Sequence, residues 1–293
     1  MSTFIVLAVS GLGLGALYFL IAAGLSLVFG LMDVLNFAHG AFLSVGAYAA
    51  WWSSQHLTGL GLPARFAVSA VCGLAVGTAV ALVVERLLVR RLYGRELQQI
   101  LLTVGLALVI TALVQGIWGA SSRSVAVPAA IKGATSVFGA PAATADLVAI
   151  GLAGAVLASL LCFLRFTRYG LVIRAGVENR AMVSALGIDV GRAFTFVFAL
   201  GGTAAALGGV LTGVYYGSID PSQGPSLLIF AFIVVIIGGL GSVGGSAVAA
   251  VVVGLLQQFV NYFAAPGVGN LTVMLLLALV LLTRSPRLGR APA

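Results

Sequence analysis

Phe4-Ile-Val-Leu-Ala-Val-Ser-Gly-Leu-Gly-Leu-Gly-Ala-Leu-Tyr-Phe-Leu-Ile-Ala-Ala-Gly-Leu-Ser-Leu-Val-Phe-Gly-Leu31 contains no charged side chain. A helix needs about 20 predominantly apolar residues to cross a bilayer, and this run exceeds that. No basic n-region precedes it and the apolar character continues past any cleavage site, so it reads as a retained first span rather than a signal peptide. Working outward, comparable runs recur at about 36–54, 64–84, 98–118, 146–166, 193–217, 225–238, 247–263 and 270–283. Two of these segments are short or broken, so the sequence predicts eight or nine crossings. The expected fold is all-α: a polytopic membrane helical bundle forming one transmembrane domain over 1–293.

Composition agrees. Of the 293 residues, 61% are hydrophobic and only 8% charged, against about 25% charged in an ordinary soluble domain. Too few polar side chains remain to cover a water-soluble surface, so lipid must cover much of it. The net charge of +8 could suggest a nucleic-acid partner, but the arginines form no continuous face. They sit in short groups between apolar runs, as the positive-inside bias of membrane proteins predicts. One group is Arg86, Arg90, Arg91 and Arg95; a second is Arg165, Arg168, Arg174, Arg180 and Arg192; a third is Arg284, Arg287 and Arg290. An even number of segments separates each group from the next. All three can therefore lie in the cytoplasm, together with the C-terminus, leaving Arg65, Arg123 and Lys132 on the other side.

Glycines within the spans, such as Gly13, Gly15, Gly73, Gly77, Gly151, Gly154, Gly208 and Gly209, allow close helix packing. Trp51, Trp52 and Trp118 fall near span ends, where amphipathic rings prefer the interface. Cys72 and Cys162 lie within apolar stretches, match no metal-site spacing and read as packing residues.

Two stretches interrupt the helical pattern. Met32-Asp-Val-Leu-Asn-Phe-Ala-His-Gly40 joins two apolar runs without a proper loop, and Gly238-Gly-Leu-Gly-Ser-Val-Gly-Gly-Ser246 does the same later in the chain. Irregular backbone at membrane depth survives only where protein or a water-filled cavity satisfies it, and broken segments in both halves of a transporter point to its pathway. Asn36 and His39 then either shape a translocation path or tie a helix end to a neighbouring backbone; the two roles are compatible. Asp33 fits better near the cytoplasmic boundary than at mid-membrane. No sequence repeat relates the halves.

The segment at about 167–192 is longer than a connector requires. Val177, Ala181, Met182, Ala185 and Leu186 recur at helical spacing, predicting a short amphipathic helix. Gly187 is placed to end it and Asp189 to cap the next. The segment is either a solvated connector resting on the membrane or a docking surface for a cytoplasmic partner, and the extra length favours docking. No phosphate-binding Gly-x-x-x-x-Gly-Lys-Ser/Thr run occurs, and no metal-ligand spacing is visible.

At this point the residues resemble a known family. Gly24-Leu-Ser-Leu-Val-Phe-Gly-Leu-Met-Asp-Val-Leu-Asn-Phe-Ala-His-Gly-Ala-Phe42 is similar to the N-terminal region of LivH-type permeases of branched-chain amino acid ABC importers, with Asn-Phe-Ala-His-Gly the most specific part. Glu85-Arg86 followed by Arg91-Leu-Tyr, the Arg174–Asp189 run, and Gly238-Gly-Leu-Gly-Ser-Val-Gly-Gly245 match in the family's order. Asp33 matches no part of the family pattern.

The resemblance implies a permease of the bacterial cytoplasmic (inner) membrane, paired with a second related permease subunit as a heterodimer. Two cytoplasmic ATP-binding subunits would drive the pair, and an extracytoplasmic substrate-binding protein would deliver an amino acid. It implies no cofactor, no metal and no enzymatic activity in this chain. It places an ATPase-coupling loop at Glu178, Asn179, Ala181, Gly187, Ile188 and Asp189, and the pathway at Asn36, Phe37, His39 and Gly40, with Gly239 and Gly241 at the second break. An apolar lining including Phe37 and Phe230 would suit a branched side chain. Urea, short amides and other amino acids remain alternative cargoes within the family. An ATP-independent carrier or channel would need more charge within the spans, and an intramembrane enzyme would need a catalytic dyad or metal site.

Overall fold

The computed structural model describes residues 2–32, 36–178, 182–183 and 190–284. The apolar runs become helices because hydrocarbon supplies no partner for backbone N–H and C=O groups, and a helix pairs them within one segment. In order these are α1 (Ser2–Met32), α2 (His39–His56), α3 (Leu62–Leu87), α4 (Glu96–Trp118), α5 (Ala129–Lys132), α6 (Thr144–Phe166), α7 (Arg168–Glu178), α8 (Val190–Tyr216), α9 (Gln223–Gly238), α10 (Val243–Phe263) and α11 (Val268–Arg284).

Among the described residues, six helices are long and apolar enough to cross a membrane: α1, α3, α4, α6, α8 and α10. Helices α9 and α11 are apolar but shorter, and α2 has 18 residues. The multi-pass helical architecture is thus present. At about 1.5 Å per residue, the 16 residues of α9 span roughly 24 Å, less than the ~30 Å hydrocarbon core.

The bundle is built around α1. Leu17, Leu20, Ile21, Ala22, Ala23 and Leu25 are fully buried, and α6, α8, α9 and α10 pack around them. Backbones approach closely because glycines face each other or small residues. A Cβ built on Gly15 would lie 2.6 Å from the Ala250 carbonyl oxygen, and one on Gly11 3.0 Å from Leu255 Cα. Between α2 and α8, a Cβ on Gly46 would lie 2.7 Å from Ala206. In lipid, where tails are as apolar as leucine, such close van der Waals packing drives helix association. Helices α3, α4, α6 and α11 form the outside, exposing Val71, Leu101, Leu108, Leu161, Leu275 and others. Apolar exposure on that scale fits a lipid or partner surface, not water.

Polar links pin the shorter helices. Tyr18 Oη donates to Gln257 Oε1 at 2.8 Å, Gln257 Nε2 donates to Asn270 Oδ1 at 2.6 Å, and Asn261 Oδ1 accepts from the backbone N–H groups of Gly267 and Gly269. These bonds tie α1 to α10 at buried depth and α10 to the start of α11 nearer the surface.

Two departures from the all-helical expectation lie between α4 and α6 and at the end of α8. Strands β2 (Ala134–Val137) and β3 (Ala140–Ala143) form an antiparallel hairpin, and β1 (Arg123–Ser124) pairs with β4 (Ser218–Ile219). Apolar periodicity does not reveal them because they are short and lie outside the spans. Gly139 takes the left-handed backbone the tight turn requires (φ 79°). The same end carries the aromatic anchors: Trp51 Nε1 donates to the Ser124 carbonyl at 3.0 Å, the Arg123 guanidinium lies over the Trp51 ring, and Tyr48 packs on Trp118. Cys72 and Cys162 are both free thiols.

Substituting Gly15 by Ala should cost about 1–3 kcal/mol, the usual range for overpacking. Gly151→Ala, on an exposed face with nothing near the added methyl, should be neutral or slightly stabilising. Thermal melting of the two variants in the same detergent tests the difference.

Candidate translocation site

The first break is held by its own polar side chains. Asn36 is buried and its Oδ1 accepts from the Ala38 N–H at 3.0 Å. The His39 N–H donates to the Asn36 carbonyl at 3.3 Å. This local turn is the reason α2 begins at His39 rather than at 36, since an Asn side chain competes with helical backbone pairing. The His39 ring is also buried, and its Nε2 lies 3.1 Å from the Ile21 carbonyl. That carbonyl only accepts, so Nε2 carries the proton. The ring fills the space left by Gly24, where a Cβ would come within 2.9 Å of His39 Cε1. The break is therefore stitched to the middle of α1. Asn36 Nδ2 is buried and has no partner among the described residues. Asp33 lies outside the described residues.

The second break rests on glycine. Gly239 (φ 96°) and Gly241 (φ 79°) occupy the left-handed region that disfavours a side chain. Ser242 Oγ accepts from the Gly245 N–H at 3.0 Å and caps α10. Gly238 packs directly against the backbone of Gly245 and Ser246.

The fold brings the end of α1, just before the first break, against the second break, and packs the first break on α9. A Cβ on Gly30, near the end of α1, would lie 2.7 Å from Gly241 Cα. Gly40, one residue into α2, meets the Gly224 backbone of α9, and the Phe37 ring packs on Phe232 with centroids 5.0 Å apart. Of the residues singled out in the sequence, Asn36, His39 and Gly40 are turned into protein. Phe37 instead lines a cavity of about 370 Å³ between α4 and α9. Val104, Leu108, Ile229 and Phe232 make it apolar, with Thr111 and Gln115 on its α4 side. Phe230 is not part of it: its ring stacks on Tyr18 at 5.1 Å. The α4 face escaped the sequence reading. The signal available was Thr111 and Gln115 four apart in an apolar run, which puts them on one face of a helix.

At the arginine-bearing end, Glu85 is fully buried and accepts from Tyr93 Oη at 2.5 Å, while Tyr93 meets Phe194 edge-on. The Glu85–Tyr93 pair that the sequence contains thus fixes the chain's exit from α3 against α8. Nearby, Thr167 caps α7 by accepting from the Gly170 N–H at 3.0 Å. Helix α7 is amphipathic, with Gly170 and Ile173 buried and Arg168, Leu171 and Arg174 exposed. It starts earlier than the stripe read from Val177 onward. It is described as far as Glu178; Asn179, Ala181, Gly187, Ile188 and Asp189 lie outside the described residues. Among the described residues, no three His, Cys, Asp or Glu side chains gather as a metal site would require.

Comparison with known proteins decides the class. The family model for the branched-chain amino acid transport system / permease component matches residues 7–283. The chain belongs to this family. It is 29% identical over 282 residues to the high-affinity branched-chain amino acid transport system permease protein LivH of Escherichia coli (strain K12), covering 93% of this chain and 91% of that one. The corresponding permease protein BraD of Pseudomonas aeruginosa is 28% identical over 260 residues, 86% of this chain and 84% of its own. The autoinducer 2 import system permease protein LsrD of Salmonella paratyphi B is 30% identical over 199 residues, 62% of this chain and 60% of its own. No solved structure matches. As a permease component, the chain is the multi-pass membrane part of a transporter, and ATP hydrolysis falls to separate subunits.

Replacing His39 by Leu keeps the bulk but removes the ring's hydrogen bond to the Ile21 carbonyl, which keeps its own helical partner within α1, a loss of about 0.5–1.5 kcal/mol. His39→Gln, which retains a donor, should melt between the wild type and His39→Leu. The order of the three melting temperatures is the measurement.

Proposed function

We propose that this chain is one of two related permease subunits of a bacterial ABC importer that carries branched-chain amino acids into the cytoplasm. The observation that carries this reading is an apolar cavity between α4 and α9 lined by Phe37 of the first break, together with the packing of the end of α1 against the second break. The second permease would sit across that cavity as a heterodimer partner. Two cytoplasmic ATP-binding subunits and an extracytoplasmic binding protein would complete the assembly. Eight or nine segments cross or enter the membrane of the cell's inner boundary, and the arginine groups with the C-terminus face the cytoplasm.

Transport would proceed by alternating access. ATP binding closes the ATPase pair and moves α7, with the adjoining Glu178, Asn179, Ala181, Gly187, Ile188 and Asp189, as a lever. The motion reaches the membrane because α7 leans on the end of α6 through Gly170 and on α8 through the Tyr169–Phe196 stack. At the path, an amino acid's charged ends would meet the half-helix ends beside Asn36, Gly239 and Gly241, which offer partial charges. Its aliphatic side chain would meet Phe37, Ile229 and Phe232. That apolar lining favours a branched side chain over urea or a short amide, the alternative cargo.

The test is a reconstituted assembly of the chain with its genomic neighbours. Leucine-loaded binding protein should stimulate ATP hydrolysis and drive leucine uptake, and Phe37→Ala should lower uptake several-fold. Stimulation by a urea- or amide-loaded binding protein alone would replace the cargo assignment. Uptake without ATPase subunits would overturn the importer itself.

Glu178→Ala and Gly187→Leu should reduce ATP-driven uptake about tenfold or more while membrane insertion stays at the wild-type level. Variants that couple hydrolysis to uptake as the wild type does would remove this segment from the docking surface.

A further inference from the structure

A second cavity, of about 670 Å³, opens at the arginine-bearing end between α3, α8 and the start of α7. Of its lining, only the Tyr169–Phe196 contact takes part in the lever motion described above. Arg86, in the last turn of α3, and Arg90, in the 3-10 turn that follows, line one wall. Both are exposed and both border the same cavity. No carboxylate among the described residues pairs with either of them. Arg192 lines the opposite wall at the start of α8.

The lining changes character with depth. Leu82 lies one helical turn inward from Arg86, and Phe196 and Ala199 lie one and two turns inward from Arg192. Tyr169 stacks on Phe196 at 5.4 Å and closes the side toward α7. Along the same face of the molecule, Val83 and Leu87 are more than half exposed and continue the apolar surface down α3. Cations therefore stand at the mouth, and greasy side chains between two membrane-crossing helices stand behind them.

We propose that this cavity binds an anionic phospholipid, its phosphate held by Arg86 and Arg90 and an acyl chain laid along Leu82, Phe196 and Ala199. Arginine suits a phosphate because its planar fork donates two parallel hydrogen bonds. Basic pockets between membrane helices are the expected sites for anionic headgroups. A free phosphate would use the mouth alone and leave the apolar half unexplained. The inference needs only that the chain sits in a bilayer; it holds whichever amino acid is carried.

The experiment uses the purified full-length chain in mixed micelles, with palmitoyl-oleoyl phosphatidylglycerol and the matching phosphatidylcholine as probes and native mass spectrometry as the readout. Phosphatidylglycerol should be retained in preference to phosphatidylcholine. Each of Arg86→Gln and Arg90→Gln should weaken its binding roughly fivefold, the worth of one arginine near an anionic lipid surface. Arg165→Gln, an exposed cation outside the cavity, should leave it unchanged. Leu82→Asn should weaken phosphatidylglycerol binding while its melting temperature stays near the wild-type value. Equal retention of both lipids, full retention by Arg86→Gln and Arg90→Gln, or stoichiometric displacement by millimolar inorganic phosphate would each overturn the assignment.

Discussion

A peptide group placed in hydrocarbon has no water to bond, and this requirement governs the rest of the molecule. It forces each apolar run into a helix, and it makes every interruption of a helix a problem that protein must solve. The chain has two such interruptions in the middle of apolar sequence. At one, Asn36 supplies a partner within its own turn by accepting from the Ala38 N–H, and the buried His39 ring ties the break to the Ile21 carbonyl of α1. At the other, Gly239 and Gly241 take backbone conformations that disfavour a side chain, and Ser242 caps the helix that follows.

These solutions rely on α1 lying at the centre. Because α1 carries glycines at Gly11, Gly15, Gly24 and Gly30, four different neighbours can approach its backbone. Gly24 admits the His39 ring and Gly30 admits the second break at Gly241. The small residues that permit dense packing thus also position the irregular backbone. A transport pathway needs both properties: polar groups at depth, and a frame rigid enough to hold them while larger elements move.

The two ends of the bundle have different chemistry. One is fastened by aromatic rings and short strands around Trp51, Trp118 and Arg123. The other gathers Arg86, Arg90 and Arg192 around a cavity and places the amphipathic α7 beside it. A lipid held between α3 and α8 would lie next to α7, the helix proposed to contact the ATPase subunits.

The amino-acid sequence by itself determined the class of fold. Apolar length and the grouping of arginines are one-dimensional properties, and each expected segment lies within a few residues of a helix. It also located both breaks, because polar residues and clustered glycines stand out against an apolar background. What only the tertiary structure decided is which surfaces meet. Linear spacing holds no record that Gly30 abuts Gly241, that Phe232 and not Phe230 joins Phe37, or that the α4 face with Thr111 and Gln115 completes the cavity. Those facts depend on how each helix is rotated about its own axis, and in lipid that rotation is set by fitting small residues against neighbours rather than by hiding an apolar face from water.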